Sequence, residues 1–250
     1  MSRLALISAM HEELAAVLAR LPDEQKTVIA GREFWVGHWH GHEVVAVLSR
    51  IGKVAAATTA TVLLERFKVD ALVFTGAAGG LAPHAQVGDV VVATGLVQHD
   101  MDASPLFPRY EVPLYGRARF DTDPALSEAL AAAASQVLSD PAQHLGAQAI
   151  ADFHLLSPRV HQGLIVSGDR FVSTTAESQA LQRSLPDALA VEMEGAAVAQ
   201  VCLDYGVPFA AVRTISDRAD DDAHTDFNRF IREVASRYSL AILSQWLMHR

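Results

Sequence analysis

Residues 188–202 read ALAVEMEGAAVAQVC, and within this stretch a strand pattern changes into a helix pattern. Four apolar residues lead into Glu192, Met193 and Glu194, and from Gly195 onward small and apolar residues recur at helical spacing. The pattern predicts a buried strand that turns directly into a helix. In open α/β sheets the ligand crevice lies at such turns, at the carboxyl ends of strands. Capping the helix dipole needs only one acid, so the second favours a functional site.

A second strand follows almost at once. Residues 209–215, FAAVRTI, are mostly apolar and run into Ser216 and Asp217. We expect these two strands to be adjacent and parallel, which would bring Glu194 and Asp217 to one crevice. Two carboxylates in unlike environments are what acid–base chemistry on a glycosidic bond requires.

The amino terminus repeats the arrangement of strand, turn and helix. Residues 4–7 are apolar, and Leu14, Val17 and Leu18 fall on one face of the helix that follows. An acid in the first helical turn ordinarily stabilises the dipole, and Glu12 is interpreted in this way. Glu13 is a candidate for the site, because two further strand ends already supply acids that it could join.

A glycine-rich turn is predicted at residues 76–80, GAAGG, after a buried strand at residues 69–75. The amides of this turn, including those of Ala78 and Gly79, could approach a ribose, an anion or a water. The motif is weak alone, since it is neither a dinucleotide fingerprint nor a phosphate-binding loop with lysine. Further predicted elements are strands at 33–39, 42–48, 89–97 and 164–167 and helices at 54–67, 124–137, 176–185 and 226–247.

Composition limits the class of protein. A chain of 250 residues, half of them hydrophobic, suits a single α/β domain spanning residues 1–250. The net charge of -9 argues against nucleic acid or an anionic membrane as partner, so the expected ligand is small and not strongly anionic. The single cysteine, Cys202, excludes an intramolecular disulfide and a cysteine zinc cluster. We find neither a secretory signal nor a transmembrane stretch, which predicts a cytoplasmic protein.

Two polar clusters are open to a metal-binding interpretation. His38, His40 and His42 alternate, as residues on one face of a strand do, but Gly41 interrupts the strand and no Asp or Cys completes a ligand set. They are better explained as exposed residues of a hairpin turn. The acidic run at residues 220–222 is better explained as a solvated loop than as a cation site.

With these pieces assembled, the chain resembles the 5′-methylthioadenosine/S-adenosylhomocysteine nucleosidases of the purine nucleoside phosphorylase superfamily. The matching motifs follow the family order along nearly the whole chain: ISAM from Ile7, IGKVAAA from Ile51, TGAAGGLAP from Thr75, VGDVVV from Val87, GLIVSGDRF from Gly163, AVEMEGAAVAQVC from Ala190 and VRTISDRAD from Val212. The resemblance implies a three-layer α/β/α fold with a central mixed sheet, nucleoside phosphorylase-like. It also implies a homodimer, a role in methionine salvage, and neither a metal nor an organic cofactor.

The same resemblance implies hydrolysis of the N-glycosidic bond of methylthioadenosine or S-adenosylhomocysteine, giving adenine and a 5-thioribose product. Asp217 would protonate adenine N7, and Glu13 would activate the attacking water. Glu194 would hold the ribose hydroxyls, while Met193 packs on the sugar.

The remaining substrate contacts are also implied by the resemblance. Phe171 would stack on adenine, and Val172 would contact its edge through backbone groups. Ile51 and Phe227 match positions around the 5′-thio group, with the partner subunit's segment from Phe107 to Pro113 as cover. The implied substrate-binding set also contains Ser216, Ala78 and Gly79.

Three features depart from the family pattern. Ala77 stands where a serine is expected, which removes one hydroxyl from the glycine-rich turn. Arg50 replaces a small residue just before IGK, and its guanidinium could bind phosphate if it points inward. Residues 139–162 form a longer stretch than the family usually carries.

Three other functions compete with the nucleosidase. A phosphorolytic enzyme of the same superfamily would use phosphate in place of water, although Glu13 then has no water to activate and no arginine cluster is evident near the glycine-rich turn. A hydrolase of another 6-aminopurine nucleoside, such as aminodeoxyfutalosine, is a second alternative. A noncatalytic nucleoside-binding protein is the third, and the presence of all three candidate acids argues against it.

Overall fold

The computed structural model describes residues 2–21, 24–220 and 227–250. Ten strands are assigned in this part of the chain: β1 Arg3–Ser8, β2 Gln25–Ile29, β3 Arg32–Trp39, β4 His42–Leu48, β5 Ala71–Gly80, β6 Val90–Gln98, β7 Arg119–Asp121, β8 Val160–Ser167, β9 Ala188–Glu192 and β10 Phe209–Asp217. The helices are α1 His11–Leu18, α2 Lys53–Val62, α3 Pro124–Leu138, α4 Pro141–Leu145, α5 Ala147–Asp152, α6 Thr175–Ser184, α7 Gly195–Tyr205, α8 Phe227–Phe230 and α9 Ser236–Met248. One π-helical turn, Leu63–Phe67, continues α2, and another, Ile231–Ala235, joins α8 to α9.

The strands form one mixed sheet. β1 lies between β4 and β5 and is parallel to both, while β3 and β2 continue beyond β4 in antiparallel fashion. On the other side of β5, the strands β10, β6, β8 and β9 follow in order, and β9 returns to pair with the end of β5. The predicted central mixed sheet is confirmed, and five of its strands close into a ring.

Helices cover both faces, which confirms the three-layer architecture. Helices α1, α3 and α9 pack on one face over a core that includes Leu6, Val73, Val212 and Tyr238. Helices α2 and α7 pack on the other face, over a second core of buried residues. Small residues dominate α2 and α7, because those two helices pack against each other as well as against the sheet.

The expectation that the strands carrying Glu194 and Asp217 are adjacent and parallel is wrong. β10 runs parallel to β5, whereas β9 runs antiparallel to it. β9 and β10 lie on opposite sides of the end of β5, where Gly79 is registered with Val191 on one side and with Asp217 on the other. The glycine-rich segment is likewise part of β5 and not a turn, since the strand continues to Gly80. Glycine permits this double pairing, because a Cβ atom on Gly79 would lie 3.0 Å from an oxygen of Asp217.

Most other predicted elements are present. The histidine hairpin is confirmed: β3 and β4 are joined at His40 and Gly41, both with positive φ, and His40 and His42 contact α9 residues. Residues 139–162 contain α4, α5 and the start of β8. Residues 221 and 222 of the acidic run, and the predicted start of the last helix at residue 226, lie outside the described residues. In the part of the chain that is described, no helix has the length and apolar character needed to cross a membrane.

Candidate active site

A cavity of about 650 Å³, including its mouth, opens at the carboxyl ends of the central strands. Its walls come from the turn after β1, the end of β5, the segment after β8, the β9–α7 turn and the end of β10. All eleven residues predicted for the site line this cavity: Glu13, Ile51, Ala78, Gly79, Phe171, Val172, Met193, Glu194, Ser216, Asp217 and Phe227. Their individual roles remain predictions.

Glu13 lies at the inner wall and is 3% exposed. One carboxylate oxygen accepts hydrogen bonds from the backbone N–H groups of Ala9 and Met10, each at 3.0 Å, and the other accepts from the N–H of Ala77 at 2.9 Å. A side chain at Gly76 would exclude it, because a Cβ atom there would lie 2.6 Å from Glu13 Oε1. Burial raises the pKa of the Glu13 carboxyl above its ordinary value, against the opposing effect of these donors and of the Arg213 charge.

Glu194 stands at the amino terminus of α7 and is 5% exposed. Its Oε1 accepts a hydrogen bond from the backbone N–H of Gly52 at 2.9 Å, which joins the β9–α7 turn to the start of α2. Burial, followed by the nearby negative charge of Glu192, raises the pKa of Glu194 to about 8.

Glu192 explains why the turn carries two acids. Its carboxylate accepts from the N–H of Gly195 at 2.9 Å and from the hydroxyl of Ser167, and it forms a buried ion pair with Arg213 at 2.6 Å. The Arg213 guanidinium stacks on Phe74, with 4.1 Å between its central carbon and the ring centroid. Glu192 is therefore held as a charged structural group, and its neighbour Glu194 is left facing the cavity.

Asp217 ends β10 beside the glycine pair of β5. Its Oδ1 accepts from the N–H of Ala219 at 2.8 Å, and its Oδ2 accepts from the hydroxyl of Ser216 at 2.7 Å. The strand bulges at this point, since the register with β5 shifts between Ile215 and Asp217. The bulge turns the Asp217 carboxylate toward the cavity that it lines.

The mouth of the cavity is apolar and open. Phe171 is 40% exposed and Ile51 is 56% exposed. The rings of Phe171 and Phe227 meet edge to face, with 5.8 Å between centroids. Arg170 also lines the mouth and forms an ion pair with Glu177.

Sequence reasoning assigned no role in the site to three charged residues: Glu192 and Arg170, which line the cavity, and Arg213, which pairs with Glu192. The sequence does indicate a role for Arg213, because an arginine within the apolar strand FAAVRTI needs a buried acid as its partner. Among the described residues no group of three or more His, Cys, Asp or Glu side chains is arranged to hold a metal ion.

Two departures from the family pattern have structural outcomes. Ala77 contributes its backbone N–H to Glu13, so this contact forms without a side-chain hydroxyl. Arg50 adopts a left-handed backbone conformation, with φ of 68°, and its guanidinium donates to the carbonyl of Gly31 in the β2–β3 turn. Arg50 does not line the cavity, so the inward-pointing phosphate contact is not formed.

The sequence profile of the phosphorylase superfamily matches residues 3–245. A 5′-methylthioadenosine/S-adenosylhomocysteine nucleosidase from Geobacillus thermodenitrificans is 38% identical over 241 residues, which cover 96% of this chain and 94% of that protein.

Solved structures agree with the sequence relatives. The nucleosidase of the same name from Neisseria meningitidis, in complex with methylthio-immucillin-A, superposes with a TM-score of 0.88 at 31% identity and full coverage of both chains. Futalosine hydrolase of Helicobacter pylori superposes with a TM-score of 0.84 at 30% identity, covering 100% of this chain and 98% of that one.

Proposed function

The chain belongs to the phosphorylase superfamily and, within it, to the 5′-methylthioadenosine/S-adenosylhomocysteine nucleosidases; from this premise we propose that it hydrolyses the N-glycosidic bond of one or both nucleosides. The products are adenine and the corresponding 5-thioribose. The observation that carries this proposal is the grouping of Glu13, Glu194 and Asp217 around one cavity.

Asp217 acts on the leaving group. Adenine is a poor leaving group as an anion, so the C1′–N9 bond breaks readily only when the departing base gains a proton. Asp217 donates that proton to N7, and the Ser216 hydroxyl, 2.7 Å from Oδ2, fixes the orientation of the carboxyl group.

Glu13 acts on the water. Three backbone N–H groups hold its carboxylate in one orientation, and its raised pKa makes it a stronger base than an exposed glutamate. The water oxygen bonds to C1′, and its proton passes to Glu13. The proton lost by Asp217 is thereby matched by one gained at Glu13, and solvent exchange restores both groups.

Glu194 serves the ribosyl group. The ribose hydroxyls donate hydrogen bonds to its carboxylate, and positive charge that develops on the ring favours its ionised form. The N–H of Gly52 keeps the carboxylate in place. Met193 packs on the sugar, Phe171 stacks on adenine, and Ile51 with Phe227 surrounds the 5′-thio group.

Phosphorolysis fits the cavity poorly. A phosphate anion needs cationic partners, yet Arg170 at the mouth is the one Lys or Arg among the described residues that line the cavity. The deeper guanidinium of Arg213 is already paired with Glu192, so it offers no free positive charge to the anion. Water as the nucleophile meets no such barrier.

The proposed assembly is a homodimer in the cytoplasm, acting in methionine salvage. Large apolar side chains are left exposed around the mouth and on the long segment after β6: Ile51 at 56%, Val54 at 78%, Leu106 at 84% and Leu114 at 93%. Patches of this kind are typical of protein interfaces. The partner subunit's segment from Phe107 to Pro113 would cover the 5′ end of the cavity.

Incubation with each nucleoside in phosphate-free buffer made with ¹⁸O water tests the reaction. We expect adenine, and a free thioribose that carries one ¹⁸O at the anomeric carbon. Adenine release that requires phosphate and yields a sugar 1-phosphate would instead establish a phosphorylase.

The likeness to a futalosine hydrolase supports a second candidate, a hydrolase of another 6-aminopurine nucleoside such as aminodeoxyfutalosine. Competition among aminodeoxyfutalosine, methylthioadenosine and S-adenosylhomocysteine ranks the three by kcat/KM. We expect the two thio-nucleosides to be preferred, because Ile51 and Phe227 give the 5′ end of the cavity an apolar wall.

A further inference from the structure

We propose that Arg170 is a specificity-determining residue that binds the carboxylate of the homocysteine tail of S-adenosylhomocysteine. This inference rests on the proposed nucleosidase function and extends it to the choice between its two substrates. Methylthioadenosine ends in an uncharged methyl group at the 5′ position, whereas S-adenosylhomocysteine ends in an amino-acid group with a carboxylate and an ammonium.

Contacts on both sides of Arg170 place it at the mouth of the cavity, next to the residues proposed for the 5′ end. The preceding residue, Asp169, accepts a hydrogen bond from the backbone N–H of Lys53 at 2.7 Å, and a Cβ atom on Gly52 would lie 3.2 Å from its carboxylate. The following residue, Phe171, packs its ring against Phe227. Arg170 is therefore anchored between the start of α2 and the aromatic pair, beside the apolar wall proposed for the 5′-thio group.

The guanidinium of Arg170 is available to a ligand. Its side chain is 72% exposed, and its ion pair with Glu177 is a surface contact. Surface pairs of this kind contribute little to stability, so an incoming carboxylate can replace Glu177 at small cost. Glu177 is less exposed, at 24%, and also accepts a hydrogen bond from the N–H of Ser173 at 3.4 Å, so it keeps its place when Arg170 turns.

Other charges at the mouth do not serve the carboxylate equally well. Lys53, whose backbone N–H contacts Asp169, is an alternative cation, but its ammonium is held by Asp100 at 2.6 Å and by Gln98 at 3.1 Å. Asp169 and Glu177 are anions and would repel a carboxylate. A guanidinium binds a carboxylate through two parallel hydrogen bonds, a geometry that an ammonium does not offer.

The test compares four substrates that share the adenosine part and differ in the 5′ tail. They are methylthioadenosine, 5′-butylthioadenosine with a longer uncharged tail, 5′-(3-carboxypropyl)thioadenosine with a carboxylate alone, and S-adenosylhomocysteine. Arg170→Gln keeps much of the side-chain length and removes the charge. We expect kcat/KM to fall about five-fold for the two carboxylate substrates, mainly through KM, because an exposed charge-assisted contact is lost.

The two uncharged substrates should keep their kcat/KM in Arg170→Gln, and Arg170→Lys should recover part of the loss. Lys68→Gln is the matched control, since Lys68 is 71% exposed, forms a surface pair with Glu65, and does not line the cavity. Added salt should reduce the preference of the unmodified protein for carboxylate tails and leave that of Arg170→Gln unchanged.

Two outcomes would overturn the inference. An equal loss on all four substrates would mean that Arg170 only supports Phe171, and no change on any of them would mean that the tail does not reach it. The proposed function is judged separately, because it fails if the unmodified protein releases adenine from neither methylthioadenosine nor S-adenosylhomocysteine in phosphate-free buffer.

Discussion

Two cavities lie at opposite edges of the sheet, and the larger one lacks the features of a catalytic site. Between α3 and α9, near the amino ends of β5 and β10, a cavity measures about 1040 Å³ including its open mouth, against about 650 Å³ at the carboxyl ends. Alanines form much of its wall, and its acids serve backbone groups: Asp70 accepts from the N–H of Arg3 and Asp123 from that of Leu126. The smaller cavity contains the buried carboxylates, so burial of acids, not volume, identifies the site.

The largest expected difference between the two edges of the sheet is the effect that substituting an acid has on turnover. Asp217→Asn keeps the shape and the acceptor for the Ala219 N–H but cannot donate a carboxyl proton, so we expect kcat for methylthioadenosine to fall by about 10² to 10⁴. Thermal unfolding should stay close to that of the unmodified protein. Near-normal turnover in this variant would exclude Asp217 as the proton donor to adenine.

Asp123→Ala is the counterpart of that variant at the amino-end cavity. Because Asp123 caps α3, its loss should cost about 1 kcal/mol of stability and leave kcat unaltered. A large loss of turnover in Asp123→Ala would break the distinction between the two cavities.

The next largest expected effect is on stability, because the ion pairs at the two edges of the sheet differ in burial. Arg213 and Glu192 are paired at 2.6 Å with side chains 2% and 4% exposed, whereas Arg3 and Glu43 at the amino edge are paired at 2.8 Å with 37% and 24% exposed. Removing one member of a buried pair leaves the other charge uncompensated. We expect Arg213→Met to lower the free energy of unfolding by about 3 to 5 kcal/mol.

Arg3→Met should cost about 1 kcal/mol or less by the same denaturant titration. The double variant Arg213→Met/Glu192→Gln should recover much of the loss, because no unpaired buried charge then remains. An equally small cost for Arg213→Met and Arg3→Met would show that burial of this pair does not matter to the fold.

The carboxyl edge was predictable because each of the three acids comes at or just after the carboxyl end of an apolar strand, where open α/β sheets place their ligand crevices. Glu194 and Asp217 each follow an apolar strand, and Glu13 follows a third. The neighbour relation was not predictable, since it depends on β5 continuing through Gly79 and pairing with different strands on its two sides. A glycine-rich sequence is equally compatible with a turn, and only the tertiary contacts select the extended form.

Contacts between side chains that are far apart in the sequence could not be predicted from local sequence patterns. The Glu192 and Arg213 motifs were recognised one by one, yet their pairing depends on how the ring of strands closes. Arg170 was part of a recognised motif, but its position at the mouth of the cavity depends on the contact of Asp169 with Lys53. The amino-end cavity was also unpredictable, because it results from how α3 and α9 pack.

The two edges of the sheet are also expected to differ, by a smaller amount, in how the protonation of their acids makes stability depend on pH. Glu194 has its pKa raised from 4.5 to about 8, so between these values the ligand-free folded state holds a proton that the unfolded state has lost. Stability then falls as pH rises through this range, by at most about 1.4 kcal/mol per pH unit for one group. Glu194→Gln lacks this proton, so its unfolding temperature should rise relative to the unmodified protein between pH 5 and pH 8.

All other titratable groups are the same in Glu194→Gln and in the unmodified protein, so their contributions cancel in the difference between the two unfolding temperatures. Asp70→Asn at the amino-end cavity serves as the reference variant. The Asp70 carboxylate is exposed just before β5 begins, and it accepts a hydrogen bond from the backbone N–H of Arg3. A pH-independent difference for Glu194→Gln would mean that Glu194 is ionised in the ligand-free protein at neutral pH.

The smallest expected effect tests the larger cavity directly. Ala129 and Ala132 lie on the wall that α3 contributes, and alanine and leucine are both strong helix formers. Ala129→Leu/Ala132→Leu should therefore fill part of the space, shift the free energy of unfolding by no more than about 1 kcal/mol, and leave kcat and KM for methylthioadenosine unchanged. Steady-state kinetics with methylthioadenosine measure kcat and KM, and a denaturant titration measures the free energy of unfolding. A ten-fold loss of turnover in a folded variant would mean that the amino-end cavity influences the reaction, and acid burial would then no longer be enough to separate the functional edge from the structural one.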